Sequence, residues 1–213
     1  KSGLLNKLLK VLAEMGANHR IFSDIRPDPD TDLVVEGLQQ ILEHKPDAVI
    51  AVGGGSAIDT AKAIAFFARK AAPDLPRPLL AAIPTTSGTG SEVTAISVVT
   101  DKKQGVKIPL NDELLIPDVA ILDARFTRTV PPHVTAATGM DVLTHALEAY
   151  TSRENNAFTD ILAVQAIAKA EQITVSNAEV DAEYVRLSKL HDTPEAEIRN
   201  VLSRDAVASA VTT

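Results

Sequence analysis

The chain has 213 residues, with 21 basic and 28 acidic side chains and a formal charge of −7. Hydrophobic residues make up 45 % of it and aromatics 3 %, which fits a folded chain of one or two domains, and no stretch has the ~18 to 20 apolar residues of a membrane span. The absence of Cys excludes a thiolate metal site, a cysteine nucleophile and a disulfide framework, and the acidic balance disfavours nucleic-acid binding.

Turn residues are unevenly spread. All ten Gly lie at or before Gly139, and Pro194 is the one Pro beyond Pro132. Residues 1–130 alternate short β-branched runs with helical patterns, the signature of an α/β layer with mostly parallel strands. Residues 131–213 are Ala-rich and read as all-helical. In chain order, the spacing predicts an amphipathic helix over 4–15 with Gly16 as its C-cap, then a short strand over 19–22 and a loop over 26–30. A helix follows over 31–44, a buried strand over 47–52 and a helix over 56–69. Strands are predicted over 79–83 and 93–100, the latter pairing with 106–110 as a hairpin, and a last buried strand over 119–122. Helices are expected over 132–138, 140–152, 156–173, 180–189 and 194 to about 208. The chain opens at Lys1 inside a helical pattern and shows no signal-peptide pattern, so a processed or incomplete chain is expected.

Three motifs carry chemistry. The first runs from Val52 through Gly53, Gly54, Gly55 and Ser56 to Asp59. A strand enters three glycines and leaves as a helix, so backbone N–H groups can close on a phosphate and the helix N-terminus adds partial positive charge. A tight strand-to-helix turn without a ligand reads the same way. Ser56 and Asp59 fit a capping box. The second motif, residues 83–92, follows another predicted strand. Thr85, Thr86, Ser87 and Thr89 make it rich in hydroxyl donors at the strand end where α/β sheets bind ligands, although a polar surface loop is the plainer alternative. The third spans 139–150. Asp141 and His145 stand at i and i+4 and project from one helix face, which suits Fe²⁺ or Zn²⁺, with a local hydrogen bond between them as the alternative. Met140, Leu143, Ala146 and Leu147 around them predict a buried pair.

With these motifs in their order and spacing, the chain resembles the iron-containing (group III) alcohol dehydrogenase family of the dehydroquinate synthase-like superfamily. The resemblance rests on residues 51–65, 82–94, 106–110, 117–124 and 135–152, covers 1 to about 170, and within the family leans toward bacterial propanol and ethanol dehydrogenases of diol and ethanolamine use. It implies an α/β nucleotide-binding domain over 1–130, an incomplete helical metal-binding domain over 131–213 and an active site in the cleft between them. It implies that Gly54, Gly55 and Ser56 receive the NAD(H) pyrophosphate, that Thr85, Thr86 and Thr89 line the cofactor with Asp59 close by, and that Lys107 contacts the nicotinamide-side ribose. Asp141 and His145 match two of four metal ligands, for iron or zinc, and are the catalytic candidates. The expected reaction moves a hydride from a short alcohol to NAD, with the metal as Lewis acid.

The sequence departs from that pattern twice. The other two metal histidines, carried by a Gly-rich segment in the family, have no counterpart, and the context of His191 does not match them. The first family strand, with its acidic ribose-binding residue, has none before Lys1. The remaining expectations are a small alcohol or aldehyde substrate, a homo-oligomer such as a dimer, no nucleic-acid or membrane partner, and a cytoplasmic setting or a bacterial microcompartment. A dehydroquinate synthase-like lyase and a non-catalytic nucleotide-binding paralogue are the competing readings.

Overall fold

The computed structural model describes residues 4–171, 181, 184–185, 188–189 and 192–197. The chain divides into two compact units, Lys1–Thr135 and Ala136–Thr213. The first opens with helix α1 (Leu4–Glu14). It ends as the sequence predicts: Gly16 takes φ +67°, and the N–H groups of Gly16 and Ala17 donate to the carbonyls of Ala13 and Leu12 at 3.0 and 2.9 Å. That pair of bonds satisfies carbonyls the helix leaves open.

The predicted strand over 19–22 is absent, and those residues join no ladder among the described strands. Apolar content alone does not make a strand without a paired edge. The following loop ends on Asp30, which begins helix α2 (Thr31–His44). The Asp30 carboxylate accepts the Leu33 N–H at 2.8 Å and also the Lys102 amine. These donors hold its carboxyl below the usual value of 3.8. A carboxylate with a lowered folded-state pKa stabilises the fold above its ordinary pKa, and that contribution is lost as pH falls through the lowered value. Asp30→Ala should cost about 1–2 kcal/mol at pH 7 and less at pH 3. Urea midpoints at both pH values check this; an equal loss at each would sink it.

Strand β1 (Ala48–Gly53), helix α3 (Gly55–Ala71) and strand β2 (Leu79–Pro84) form a strand–helix–strand unit. β1 and β2 are parallel, with Ala48 opposite Leu79 and Gly53 opposite Pro84. Strand β5 (Val119–Ala120) adds in parallel to the other side of β2, giving the order β1-β2-β5. Central β2 is buried from Leu80 to Pro84. The edges are not: in β1 only Ala51 is buried, and Val119, Ile121 and Leu122 are exposed, contrary to the two buried strands predicted there. α3 packs on β1 through Ile58 and Ala51, and no described element covers the exposed residues of β1 and β5.

The hairpin forms as expected, β3 (Ile96–Asp101) antiparallel to β4 (Val106–Asn111), with Val99 opposite Ile108. β3 starts later than predicted because Ser91–Val93 is a 3-10 turn. Two small cores follow. Val34 from α2, Ala63 and Ile64 from α3 and Val99 from β3 form one, and Ala51, Ile58 and Ala82 form the other. α2 and α3 meet closely at Gly37, where an added Cβ would lie 2.8 Å from Ile64 Cγ1 and closer still to its Cδ1. Ile64 is itself buried, so Gly37→Ala should cost about 1–3 kcal/mol in denaturant unfolding.

Beyond the sheet, α4 runs unbroken from Pro132 to Thr151 and α5 from Ala157 to Glu171. The sequence predicts a break at Gly139. None occurs, because a single glycine weakens a helix without stopping it. Asn156 opens α5 by accepting the N–H groups of Phe158 and Thr159 while its own N–H donates to the Thr159 hydroxyl. Buried Ala157, Ile161, Ala163 and Ala168 line α5, and Tyr184 is also buried. The helices expected over 180–189 and 194–208 fall mostly outside the described residues; of those described, 181, 184, 185, 188, 189 and 195–197 are helical. No helix among the described residues is long and apolar enough to cross a membrane.

Candidate cofactor cradle and metal-ligand pair

Two loops leave adjacent parallel strands at the same end of the sheet. Gly53 and Pro84 are paired in register, and the Thr85 N–H donates to the Gly53 carbonyl at 2.9 Å. α3 then starts at Gly55 with Gly54 as its N-cap, and no side chain caps it. The capping box expected of Ser56 and Asp59 is therefore not formed. Ser56 is already within the helix, and Asp59 faces elsewhere. The first-turn N–H groups of α3 lack a side-chain acceptor, as an anion-binding helix start requires.

The second loop closes on this turn. A Cβ on Gly54 would lie 3.2 Å from Thr86 Oγ1, and one on Gly55 would lie 2.8 Å from Thr89 Cγ2. The structure thus brings Gly54 and Gly55 together with Thr86 and Thr89, and Thr85 lies at the exit of β2. Only residues without a Cβ allow backbone and threonines to approach this closely. The cradle fits a pyrophosphate: bare helix N-terminus on one side, hydroxyls on the other.

Asp59 bonds the chain that follows the second loop rather than the start of α3. Its carboxylate accepts the Ser91 hydroxyl and, at 3.0 Å, the Val98 N–H. Lys62, three residues on, is fully buried. Sequence reasoning missed both Lys62 and Ser91. The available signal was a lysine between Ala61 and Ala63 in a helix whose neighbouring positions are apolar. Burial lowers the Lys62 pKa, against the pull of Asp59 and Glu92. Lys107 is exposed on β4, with its amine 2.8 Å from the Asp28 carboxylate. No described side-chain contact of Lys107 is to either loop.

On α4 the Asp141 Oδ1 and His145 Nε2 atoms are 3.8 Å apart. That is beyond hydrogen-bond range, so the local Asp–His bond is not made. Nor is the pair buried as the surrounding apolar residues suggest: the two side chains are 39 % and 52 % exposed, because Met140 and Leu147 themselves face outward and only Ala146 of that group is buried. One oxygen and one nitrogen on a common helix face fit half the donor set of a tetrahedral divalent cation. Among the described residues no group of three or more such donors completes it.

A small parallel sheet with its ligand loops beyond the strand ends, followed by helices, defines an α/β nucleotide-binding protein with a helical second part. The family profile described as iron-containing alcohol dehydrogenase matches residues 1–124, and the profile for the C-terminal part of that family matches 135–183. The chain belongs to the iron-containing alcohol dehydrogenase family. It is 52 % identical to the 1-propanol dehydrogenase PduQ of Citrobacter freundii over 167 residues, 78 % of this chain and 44 % of that protein. It is 41 % identical to the NADPH-dependent butanol dehydrogenase of Clostridium saccharobutylicum, over 85 % of this chain and 50 % of that one. Among solved structures, the iron-containing alcohol dehydrogenase of Thermococcus thioreducens superposes with a TM-score of 0.71 at 33 % identity, covering 98 % of this chain and 55 % of the other. The chain spans about half the length of the relatives it matches. The matching family is that of the dehydrogenases, not of the dehydroquinate synthase-like lyases.

Proposed function

We propose that the full-length protein is an NAD(H)-linked, metal-dependent dehydrogenase that interconverts a short-chain alcohol and its aldehyde. One observation carries the cofactor half of this reading: an uncapped helix start whose glycines are closed on by Thr86 and Thr89. In this reading the N–H groups of Gly55 and Ser56 meet the pyrophosphate, Gly54 admits it, and Thr85, Thr86 and Thr89 donate hydroxyls along the cofactor. Asp59 holds the chain that follows the second loop. Lys107 enters by resemblance, and its amine is engaged by Asp28 at the hairpin.

Asp141 and His145 would hold the divalent iron, or zinc, in company with ligands beyond the described residues. When bound, such an ion supplies Lewis acidity toward the alcohol oxygen. The reaction moves a hydride from the carbinol carbon to the nicotinamide and releases the hydroxyl proton, leaving the aldehyde and NADH. The protein's share is to align the two carbons and exclude water. Family membership and the names of the relatives support the alcohol class. The same reading carries a homo-oligomer, with a dimer as the simplest form, in the cytoplasm or a bacterial microcompartment.

The test is NADH formation by the full-length protein with ethanol, 1-propanol and 1,2-propanediol, with and without added Fe²⁺. Metal-dependent NADH formation with at least one alcohol is the expected result. Tight NADH binding without turnover in the metal-loaded protein would overturn the reading in favour of a non-catalytic paralogue.

A further inference from the structure

We propose that the cavity at the far end of α3 from the cofactor cradle is a second ligand site, one that takes a small monocarboxylate with a compact apolar body. The cavity has a volume of about 190 Å³ and lies where α2 and α3 end and where β1 and β2 begin. Lys45, the C-cap of α2, and Ala72, the C-cap of α3, both line it, as do Asp47 and Pro78, the residues just before the two strands. The cradle stands at the opposite ends of the same strands. α3 has 17 residues, so about 25 Å of helix separates the two.

The charge of the lining sets the charge of the ligand. The chain as a whole is acidic, with a formal charge of −7, yet Lys45, Arg69 and Arg77 gather here against Asp47 alone. Arg77 is already neutralised, because its Nη1 donates to the Asp118 carboxylate at 2.6 Å. Lys45 and Arg69 against Asp47 then leave one positive charge. Among the described residues no hydrogen bond or ion pair engages the Lys45 amine. One anionic group balances the site, and the Asp47 carboxylate disfavours a dianion.

Arg69 is set to receive that group. Both described contacts of its guanidinium run through Nη1, which donates to the carbonyls of Pro73 and Leu75, the latter at 3.1 Å. Nη1 carries two N–H groups, so these contacts use them and leave the edge formed by Nε and Nη2. That edge is a fork that binds a carboxylate through two parallel hydrogen bonds. The two carbonyls fix the guanidinium plane before any ligand arrives, which lowers the ordering cost of binding. Pro46, Pro76 and Pro78 stiffen the wall and bring no N–H of their own. Ile41, Ala68 and Leu75 complete the lining, a poor surface for a bare phosphate and a suitable one for a hydrocarbon body.

The experiment titrates the full-length protein by calorimetry with benzoate, with its neutral counterpart benzamide and with inorganic phosphate. Wild type is compared with Arg69→Gln, Arg69→Lys, Lys45→Asn and Asp141→Ala. Wild type should bind one benzoate per chain in the millimolar range, with benzamide and phosphate weaker by about tenfold or more. Arg69→Gln should weaken benzoate by about tenfold or more, and Arg69→Lys by nearly as much, since an ammonium keeps the charge and loses the fork. Lys45→Asn should weaken it by about threefold. That variant tests the site without touching the Pro73 and Leu75 contacts, and asparagine accepts the left-handed conformation of Lys45 (φ +48°). NADH affinity stays at the wild-type value in the Arg69 and Lys45 variants, and benzoate affinity stays there in Asp141→Ala.

Absence of benzoate binding in that range overturns the proposal, as does benzamide or phosphate binding as tightly as benzoate. Unchanged benzoate affinity in both Arg69→Gln and Lys45→Asn overturns it too, because the ligand would then sit elsewhere. Loss of binding in Asp141→Ala with the Arg69 variants unaffected would place the carboxylate at the metal-ligand pair instead. None of these outcomes bears on NADH formation, so the proposed dehydrogenase function is tested separately.

Discussion

Gly55→Ala should weaken NADH binding by about 10- to 100-fold while leaving the protein folded. An added Cβ at this position would lie 2.8 Å from Thr89 Cγ2 and 3.0 Å from its Oγ1. Something must shift, and Thr89 is bonded to the Ser91 N–H. Overpacking of this kind costs about 1–3 kcal/mol. The same methyl group intrudes where backbone N–H groups at the bare start of α3 are proposed to meet a pyrophosphate, so the cost falls on the bound state. A loss of about 1.4–2.8 kcal/mol is about 10- to 100-fold in Kd. Fluorescence titration with NADH measures it, beside a thermal melt. Gly16→Ala serves as the comparison: Gly16 has φ +67° and open space where a Cβ would go, so the change is expected to cost stability without moving NADH affinity. Unaltered affinity in Gly55→Ala would remove the glycine turn from the cofactor site.

Asp141→Ala and His145→Ala should each leave the full-length protein with little bound iron and lower kcat/KM by about a thousandfold. The two side chains are the described donors that share a helix face at metal-ligand reach, 3.8 Å apart and open to solvent. Removing one ligand from a four-donor site weakens retention of the ion, and Lewis-acid stabilisation of several kcal/mol goes with it. About 4 kcal/mol corresponds to a factor of about a thousand in rate. NADH binding should persist, because the groups proposed to hold the cofactor lie between Gly53 and Lys107 and none is on α4. Metal content by elemental analysis, read beside NADH titration and steady-state rates, separates the two defects. A His145→Ala protein with a full iron complement and normal turnover would take this residue out of the metal site.

The legible parts of this protein are those where a local signal coincides with a tertiary need. α2 spans 31–44 as the apolar spacing of Leu33, Val34, Leu38, Ile41 and Leu42 predicts, because that face is the one buried against α3. The hairpin is readable because 93–100 and 106–110 are joined by a short polar link ending at Gly105, which takes the left-handed conformation such links use. Residues 19–22 (His-Arg-Ile-Phe) and 119–122 (Val-Ala-Ile-Leu) are both predicted as strands, and only the second contains one. The difference is that Val119 and Ala120 pair with β2, whereas residues 19–22 pair with no described strand. Gly139 is a further case. Its residue type suggests an end, but the bonds of the residues around it carry α4 straight through.

By itself, the sequence determined the chemistry available: where glycine frees the backbone, where hydroxyls cluster after a strand, and that Asp141 and His145 share a helix face. These follow from residue type and from periods of about two and 3.6, which are local properties. Only the tertiary structure decided what those groups do for one another. It set Thr86 and Thr89 against Gly54 and Gly55, turned Asp59 from a helix cap into an acceptor for Ser91 and Val98, and buried Lys62 under three carbonyls. The reason is physical: such contacts join positions about 30 residues apart in the chain, and their energies depend on burial and convergence that no local window contains.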